Sequence, residues 1–345
     1  MDISNNDKMV LVTGGSGFIA SYCIIALLNK GFKVKASLRS LNRIADVKQM
    51  LSTGGISDFD HLSFVEADLS KEDGWQEAVR GCTYVIHPAS PTPRPDATHE
   101  DEFIIPAVNG VLHVLRAAKY AGVKRVVLTS AFGAIGFGTD KKTPYTEEDW
   151  SDPNKNIPAY QKSKTLSERA AWEFIKNEGN GLELSVVNPF GVLGPVLGAD
   201  YSHSIQMIHQ MLSGKLKGLP KMRFGYVDVR DVASLHVSAM INPVANGERF
   251  LAVAGKAMSM LDIANILREN FGDEAAKVPG KEIPDWLIRI TALFNSKIKL
   301  IVPFLGVTKE ASHDKATRLL DWHPRSNREA VYATAESLIR LGLVN

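Results

Sequence analysis

The chain has few cysteines and no long apolar run. Its 345 residues include two cysteines, Cys23 and Cys82, in no C-x-x-C pair, so both are expected to be packing residues in a reducing compartment. No apolar stretch approaches the 18 residues of a membrane-spanning helix, and residues 1–8 lack the apolar core of a signal peptide. We therefore expect a cytoplasmic protein with no membrane partner.

Acidic and basic residues nearly balance, with 40 Lys and Arg against 38 Asp and Glu. The basic residues form no clustered stripe, so we expect no nucleic-acid partner. A His-Glu-x-x-His zinc motif, a Gly-x-Ser-x-Gly nucleophile elbow and a Walker lysine are all missing. The histidines lack metal-like spacing, and we predict no metal site.

A strand, a glycine turn and a helix open the chain. Residues 9–12 are apolar and predict a buried parallel strand. The turn that follows has the spacing Gly14-x-x-Gly17-x-x-Ala20, which lets the backbone approach a phosphate at a helix N-terminus. This pattern predicts a dinucleotide site with contacts from Gly14, Gly17, Phe18, Ile19 and Ala20.

Strand and helix patterns alternate up to about residue 188. Such alternation predicts an α/β fold, a Rossmann-type doubly wound parallel sheet with a smaller, irregular C-terminal substrate-binding part. We assign residues 1–188 to the dinucleotide-binding domain and 189–345 mainly to substrate binding. Two segments of the second part, 225–240 and 327–341, are predicted to pack back on the first.

Two details of the second part are left as expectations. Asp231 is placed to cap a helix over residues 232–240. Residues 286–307 are apolar but interrupted by charges and a proline, which predicts amphipathic structure, either a lid or an interface. Several residues suggest a mostly apolar pocket, although core packing explains them equally well: Phe132, Phe137, Phe190, Tyr201 and Met207.

The residue after the second predicted strand favours NADP(H). NAD sites place a carboxylate there to bind the ribose hydroxyls, whereas this chain has Arg39. A guanidinium can hold a 2′-phosphate, which a carboxylate would repel. Asp68 and Leu69, after the third strand, are predicted to contact the adenine edge.

A Tyr-x-x-x-Lys pair supplies the candidate acid. Tyr160 and Lys164 share one helix face, and a nearby ammonium is expected to lower the pKa of the phenol from about 10. Tyr160 could then protonate a carbonyl oxygen while hydride reaches the carbon. Ser130, at the end of the fifth strand, could hydrogen-bond the same oxygen.

Taken together, these motifs resemble the extended short-chain dehydrogenases/reductases, and in particular the branch like dihydroflavonol 4-reductase. The resemblance rests on Thr13-Gly14-x-x-Gly17, Ala67-Asp68-Leu69, His87-Pro88-Ala89-Ser90, Thr129-Ser130, Tyr160-x-Lys162-Ser163-Lys164 and Asn188-Pro189. It implies that Tyr160 is the proton donor, that Lys164 binds the nicotinamide ribose and that Arg39 holds the 2′-phosphate. It also implies further cofactor contacts from Pro88, Ala89, Ser90, Thr129, Tyr160 and Pro189.

One position departs from that family. The family has Thr-Ser-Ser after the fifth strand, with the second serine catalytic, and this chain has Ala131 there. Either Ser130 substitutes, or the site works with fewer hydrogen bonds, or the hydroxyl is dispensable for a different substrate or reaction. One missing bond to the reacting oxygen costs roughly 2–4 kcal/mol in the transition state.

The leading hypothesis is an NADPH-dependent reductase of a small carbonyl compound, an aldehyde or prochiral ketone, acting as a monomer or homodimer. One alternative is an NAD-dependent nucleotide-sugar epimerase or dehydratase, which would usually carry an acidic residue in place of Arg39. The other is a catalytically weak NADP(H)-binding protein, which Ala131 favours and the Tyr160–Lys164 pair opposes.

Overall fold

The computed structural model describes residues 5–91, 99–141, 143–199, 201–299 and 301–344. Its strands are β1 Met9–Val12, β2 Lys33–Leu38, β3 Leu62–Glu66, β4 Tyr84–His87, β5 Arg125–Thr129, β6 Glu183–Pro189, β7 Gly191–Leu193, β8 Arg223–Asp228, β9 Arg249–Ala252 and β10 Ala254–Ser259. Its helices are α1 Phe18–Asn29, α2 Ile44–Thr53, α3 Trp75–Val79, α4 Asp101–Tyr120, α5 Ala159–Glu178, α6 His203–Leu212, α7 Val229–Ile241, α8 Met260–Asn270, α9 Asp285–Thr291, α10 Ser296–Lys299, α11 Asp314–Leu320 and α12 Asn327–Arg340.

Seven parallel strands form the central sheet, in the order β3-β2-β1-β4-β5-β6-β9. The order reverses between β1 and β4, which is where ligands bind in open sheets of this kind. The predicted Rossmann-type fold is confirmed. A smaller sheet, β10-β8-β7, stands beside it.

Strand β1 lies between two hydrophobic cores. Val10 and Val12 of β1 join the core shared with α1 and α7, whereas Leu11 joins the core shared with α4 and α5. Because side chains alternate across a strand, a strand apolar at every position is covered on both faces. This arrangement leaves the carboxyl ends of the strands as the open edge of the sheet.

The second half of the chain contributes to both sheets. Strand β9 extends the central sheet next to β6, and α7 packs on α1. Helix α12 lies against α6, α8 and the smaller sheet, and its Thr334 hydroxyl accepts from the Gly194 amide at 2.7 Å. The division at residue 188 stays our proposal.

The expected cap of α7 was wrong. The helix begins at Val229, and Asp228 is its N-cap, accepting from the Arg230 amide at 2.8 Å. Asp231 lies in the first turn, where it accepts from the Arg325 amide at 2.7 Å. The helix therefore starts three residues earlier than predicted, at the other of two nearby aspartates.

Candidate active site

The glycine turn after β1 is held close to β2 and β4. The Gly14 amide donates to the Ser37 hydroxyl at 3.1 Å, and Gly14 has a φ of +63°. A Cβ at Gly14 would lie 2.9 Å from the Cβ of Ala89. A side chain is thus excluded both by conformation and by the segment after β4.

Helix α1 starts directly after this turn, with Gly17 as its N-cap. Within the described residues no side chain caps the helix, so the first-turn amides of Phe18, Ile19 and Ala20 have no side-chain acceptor. Amides in this position, at the positive end of the helix dipole, suit a pyrophosphate. The residues present fit the dinucleotide predicted from the sequence.

Several predicted site residues meet at one cavity along the carboxyl ends of β4 and β5. The predicted residues that line it are Leu69, Ala89, Ser90, Thr129, Ser130 and Lys164, together with His87. Two buried polar atoms there, His87 Nε2 and Ser130 Oγ, have no partner among the described residues. Such atoms are expected where a ligand supplies the missing hydrogen bonds.

Other predicted residues lie outside this cavity wall. Pro88 is half-buried between two of the lining residues, and Pro189 is buried at the end of β6. Gly14 does not line the cavity itself, but it packs closely against Ala89, which does. The cavity therefore gathers part of the predicted site, and the remaining contacts stay predictions.

Arg39 and Asp68 lie at the ends of neighbouring strands, after β2 and β3. Arg39 is exposed and Asp68 is half-buried. Hydrogen bonds from Ser70 are the main cause of the lowered pKa of Asp68, and the charge of Arg39 adds to it. Asp68 is consequently an ionised carboxylate tied to its own turn, and Arg39 stands open to a ligand.

Lys164 is buried on α5 behind the end of β5. Its Nζ donates to the Thr129 carbonyl oxygen at 3.4 Å, and burial lowers its pKa to about 8. Because this pKa remains above 7, Lys164 is mostly protonated at neutral pH. It is a cation fixed at the edge of the cavity.

Tyr160 lies one turn before Lys164, in the first turn of α5, and 47% of it is exposed. The expected lowering of its pKa by Lys164 is wrong for the protein by itself. The protein packed around Tyr160 limits solvation of the phenolate, and the pKa of the hydroxyl is raised above its ordinary value. Tyr160 thus holds its proton at neutral pH.

Ala131 continues the chain beyond Ser130 without a side-chain polar group. Its carbonyl oxygen accepts from Asn188 Nδ2 at 3.3 Å, while the Ser130 amide donates to the Val187 carbonyl at 2.8 Å. These bonds fix the strand end on β6. The hydroxyl that lines the cavity at this point belongs to Ser130.

Two buried histidines support the strand ends, a role that the sequence analysis did not assign. His87 Nδ1 lies 2.7 Å from the Thr13 hydroxyl, and His236 Nε2 lies 2.6 Å from the Thr129 hydroxyl. His236 Nδ1 donates to the Val232 carbonyl at 2.8 Å, so the neutral ring accepts from Thr129. The only sequence signal was a threonine at each of two strand ends, Thr13 directly after β1 and Thr129 as the last residue of β5.

Acid should destabilise the protein in part through His236. Burial lowers its pKa to about 4, whereas in the unfolded chain it titrates near 6.5. Between these values only the unfolded state takes up the proton, so stability falls with pH below about 6.5. His236→Gln should reduce the loss between pH 7 and pH 4.5 by on the order of 2 kcal/mol, measured by urea unfolding.

The control for this prediction is His61→Gln, because His61 is exposed. It should leave the pH dependence of unfolding as it is in the wild type. Equal slopes for wild type and His236→Gln would contradict the assignment.

A buried ion pair stands behind α5, and the sequence analysis missed it. Arg249 Nε donates to Glu168 Oε1 at 2.6 Å, and Asn188 Nδ2 donates to Glu168 Oε2 at 2.7 Å. The guanidinium also lies 3.8 Å from the Trp150 ring centroid. Glu168 follows Lys164 by one turn, and this spacing was the only sequence signal.

An aromatic cluster borders the end of β6. Phe132 and Phe190 are stacked with ring centroids 3.7 Å apart, and Phe137 meets Phe132 edge-on. Phe132 is 2% exposed and packs with Tyr145. Phe132 is therefore a core residue, while the half-buried Phe137 and Phe190 pack against it.

Comparison with known proteins agrees with this geometry. The chain is 35% identical over 276 residues to cinnamoyl-CoA reductase CAD2 of Medicago truncatula, covering 78% of this chain and 82% of that protein. It is 31% identical over 279 residues to dihydroflavonol 4-reductase of Hordeum vulgare, covering 78% and 77%. The second relative is dihydroflavonol 4-reductase, the enzyme after which the branch identified from the motifs is named.

The fold matches a solved reductase over nearly its whole length. The structure of yeast methylglyoxal/isovaleraldehyde reductase Gre2 complexed with NADPH superposes with a TM-score of 0.80 and 27% identity, covering 98% of this chain and 100% of that one. Residues 10–253 match the NAD dependent epimerase/dehydratase family. The chain belongs to that family, and its resemblance to the extended short-chain dehydrogenases/reductases is confirmed.

Proposed function

We propose that the chain reduces an aldehyde or a prochiral ketone to the alcohol with NADPH, and that Tyr160 donates the proton. The observation that carries this proposal is the buried Lys164 ammonium at the end of β5, beside the unpartnered Ser130 hydroxyl. Tyr160 precedes it by one turn on α5. Lys164 is the one cation that lines this cavity in the described part of the chain, and Tyr160 lies outside the cavity wall.

Each residue has one role in the proposed reaction. The bound nicotinamide supplies the hydride to the carbonyl carbon. Tyr160 gives its proton to the carbonyl oxygen as negative charge develops there, and the Lys164 cation stabilises the phenolate left behind. Ser130 donates a hydrogen bond to the same oxygen, in place of the family hydroxyl missing at Ala131.

The raised pKa of Tyr160 suits this direction of reaction. A proton donor must carry its proton when the substrate arrives, and a phenol with a pKa above 10 does so throughout the neutral range. Lys164 is charged below about pH 8. The proposed donor and its supporting cation are thus in the required states together at neutral pH.

NADPH is the cofactor that the residues favour. Yeast Gre2 is complexed with NADPH in the matched structure, and Arg39 takes the position of the NAD-type carboxylate after β2. Arg39 would hold the 2′-phosphate and the first turn of α1 the pyrophosphate. The free, buried Cys23 and Cys82 are compatible with the cytoplasm as its compartment.

The proposed substrate is a small carbonyl compound that contacts the second part of the chain and Phe137 of the first. The half-buried Phe137 and Phe190 offer an apolar wall near the end of β6. The named relatives act on carbonyl compounds of different size. The reaction class is therefore better supported than any one substrate. A monomer and a homodimer are equally compatible with this site.

A panel of aldehydes and ketones tests the proposal. NADPH should disappear with the alcohol formed one for one, and NADH should be used more slowly. Arg39→Ser should weaken binding of NADPH but not of NADH, measured by isothermal titration. Retention of NAD with epimerisation of a nucleotide sugar would overturn the proposal, and so would NADPH binding without turnover across the panel.

A further inference from the structure

The segment around α9 exposes more large apolar side chains than any other element of the described chain. Trp286 is 63% exposed, Leu293 79% and Phe294 86%, and Leu287 and Ile290 are also exposed. Isolated exposed apolar residues are ordinary, but a contiguous group of this size marks a contact surface. We call these five residues the α9 patch.

The α9 patch is not left over from core packing. Ile288 and Ala292 are buried and fix the helix to the protein, while the patch residues follow the i, i+1, i+4, i+7, i+8 spacing of the opposite face. The turn continues past Thr291, since the Leu293 amide donates to the Ile290 carbonyl at 3.1 Å. The helix thus has two apolar faces. One packs on the core, and the other is exposed.

Basic residues outnumber acidic ones in the two chain segments next to the patch. Residues 277–309 contain six basic and two acidic side chains, and residues 213–224 contain four basic and none acidic, although the whole chain is nearly balanced. Lys281 and Arg289 are both exposed. The region therefore has an excess of basic side chains next to exposed apolar ones, although Arg223 is paired with Asp262 and Lys309 with Tyr145.

The two basic segments form one surface. The Leu219 amide donates to the Lys281 carbonyl at 3.2 Å, and the Ile283 amide donates to the Leu219 carbonyl at 2.8 Å. The Gly306 amide donates to the Lys221 carbonyl at 2.7 Å. Lys221 and Lys281, both exposed, are thereby joined to the chain that carries α9.

We propose that the α9 patch adsorbs to a membrane surface that carries anionic lipids. Trp286, Leu293 and Phe294 would enter the headgroup boundary. The exposed Lys221, Lys281 and Arg289 would meet the lipid phosphates and carboxylates. No described helix is long and apolar enough to cross a bilayer. The contact is peripheral, and it departs from the expectation of no membrane partner. Given the proposed function, it would bring the enzyme to apolar carbonyl compounds dissolved in lipid.

Charge argues against a second copy of the chain as the occupant. A two-fold interface pairs the same surface on both subunits, so the basic rim of one patch would face the basic rim of the other. Like charges brought together in this way oppose association. An anionic lipid surface instead complements the same rim.

Vesicle flotation tests the proposal with the full chain. The protein should float with phosphatidylcholine vesicles that contain phosphatidylserine, less with phosphatidylcholine alone, and less again in high salt, which screens the charges. Trp286 is the most exposed tryptophan, so its fluorescence should shift to the blue on binding. The proposal is overturned if the protein floats with vesicles under none of these conditions.

Matched double variants locate the contact. Leu293→Glu with Phe294→Glu should reduce flotation at least tenfold, whereas Ile241→Glu with Val244→Glu, at exposed apolar positions of another surface, should not. Equal loss in both variants would overturn the assignment to α9. A dimer that the first variant dissociates, without vesicle binding by the wild type, would make a second copy the occupant.

Discussion

Tyr160→Phe should lower the rate of carbonyl reduction by about 10²–10⁴-fold, the usual contribution of a positioned acid, and leave the affinity for NADPH unchanged. The substitution removes the hydroxyl and keeps the ring. No hydrogen bond of the Tyr160 hydroxyl holds the fold together within the described residues, and 47% of the residue is exposed. The folded protein should therefore tolerate the change, and the loss should appear in kcat.

Two measurements make this result specific. Tyr120→Phe, at a tyrosine 76% exposed on α4, should keep the wild-type rate and serves as the control. NADPH affinity, measured by fluorescence titration, separates a catalytic loss from a damaged cofactor site. A Tyr160→Phe protein that keeps more than half of its activity would remove the proposed donor.

Lys164 gives the same mechanism a pH signature. Its pKa lies near 8, so the cation that stabilises the phenolate is lost as pH rises through that value. Tyr160, whose pKa is raised, still holds its proton there. The rate of carbonyl reduction should therefore fall above about pH 8 because Lys164 loses its proton, while Tyr160 remains protonated.

Local patterns predicted the first half of the fold well. The turn from β1 into α1 needs glycines at fixed spacing, and a strand buried on both faces is apolar throughout, so both are visible over a dozen residues. The strand predicted over residues 9–12 is β1, and the fifth predicted strand is β5, which ends directly before Ser130. These elements are set by contacts that their own sequence largely specifies.

What the sequence did not predict depends on distant partners. Strand β9 has four residues, and it joins the central sheet only because β6 offers a free edge. The pKa of Tyr160 was expected to follow its neighbour on the helix, but packing from other segments raises it instead. Desolvation of this kind is a tertiary effect, which spacing along one helix does not reveal.

The pair of Glu168 and Arg249 is the clearest example, since 81 residues separate its members. Glu168 is fully buried and Arg249 is 8% exposed. A charge placed there without its partner would be strongly disfavoured, because burial removes the solvent that would otherwise stabilise it. The two residues therefore depend on each other, although neither belongs to a motif that the sequence analysis used.

Glu168→Ala should lower the free energy of unfolding by about 3–5 kcal/mol, because it leaves the Arg249 guanidinium buried without its carboxylate. Asn188 would lose the same acceptor, 2.7 Å from its Nδ2. Replacing both charges, as Glu168→Met with Arg249→Leu, should cost less than the single change, since no unpaired charge is then buried. Urea unfolding measures all three.

The exposed pair of Arg328 and Glu269, 3.0 Å apart with both side chains 56% exposed, is the matched control. Glu269→Ala should change stability by less than about 1 kcal/mol, because water screens that pair. Comparing the stability losses at the two pairs shows whether burial, and not the presence of a salt bridge alone, determines the loss. If both single variants lost equal stability, or if the double variant at 168 and 249 were the least stable of all, the buried pair would not be the anchor of α5 that its geometry indicates.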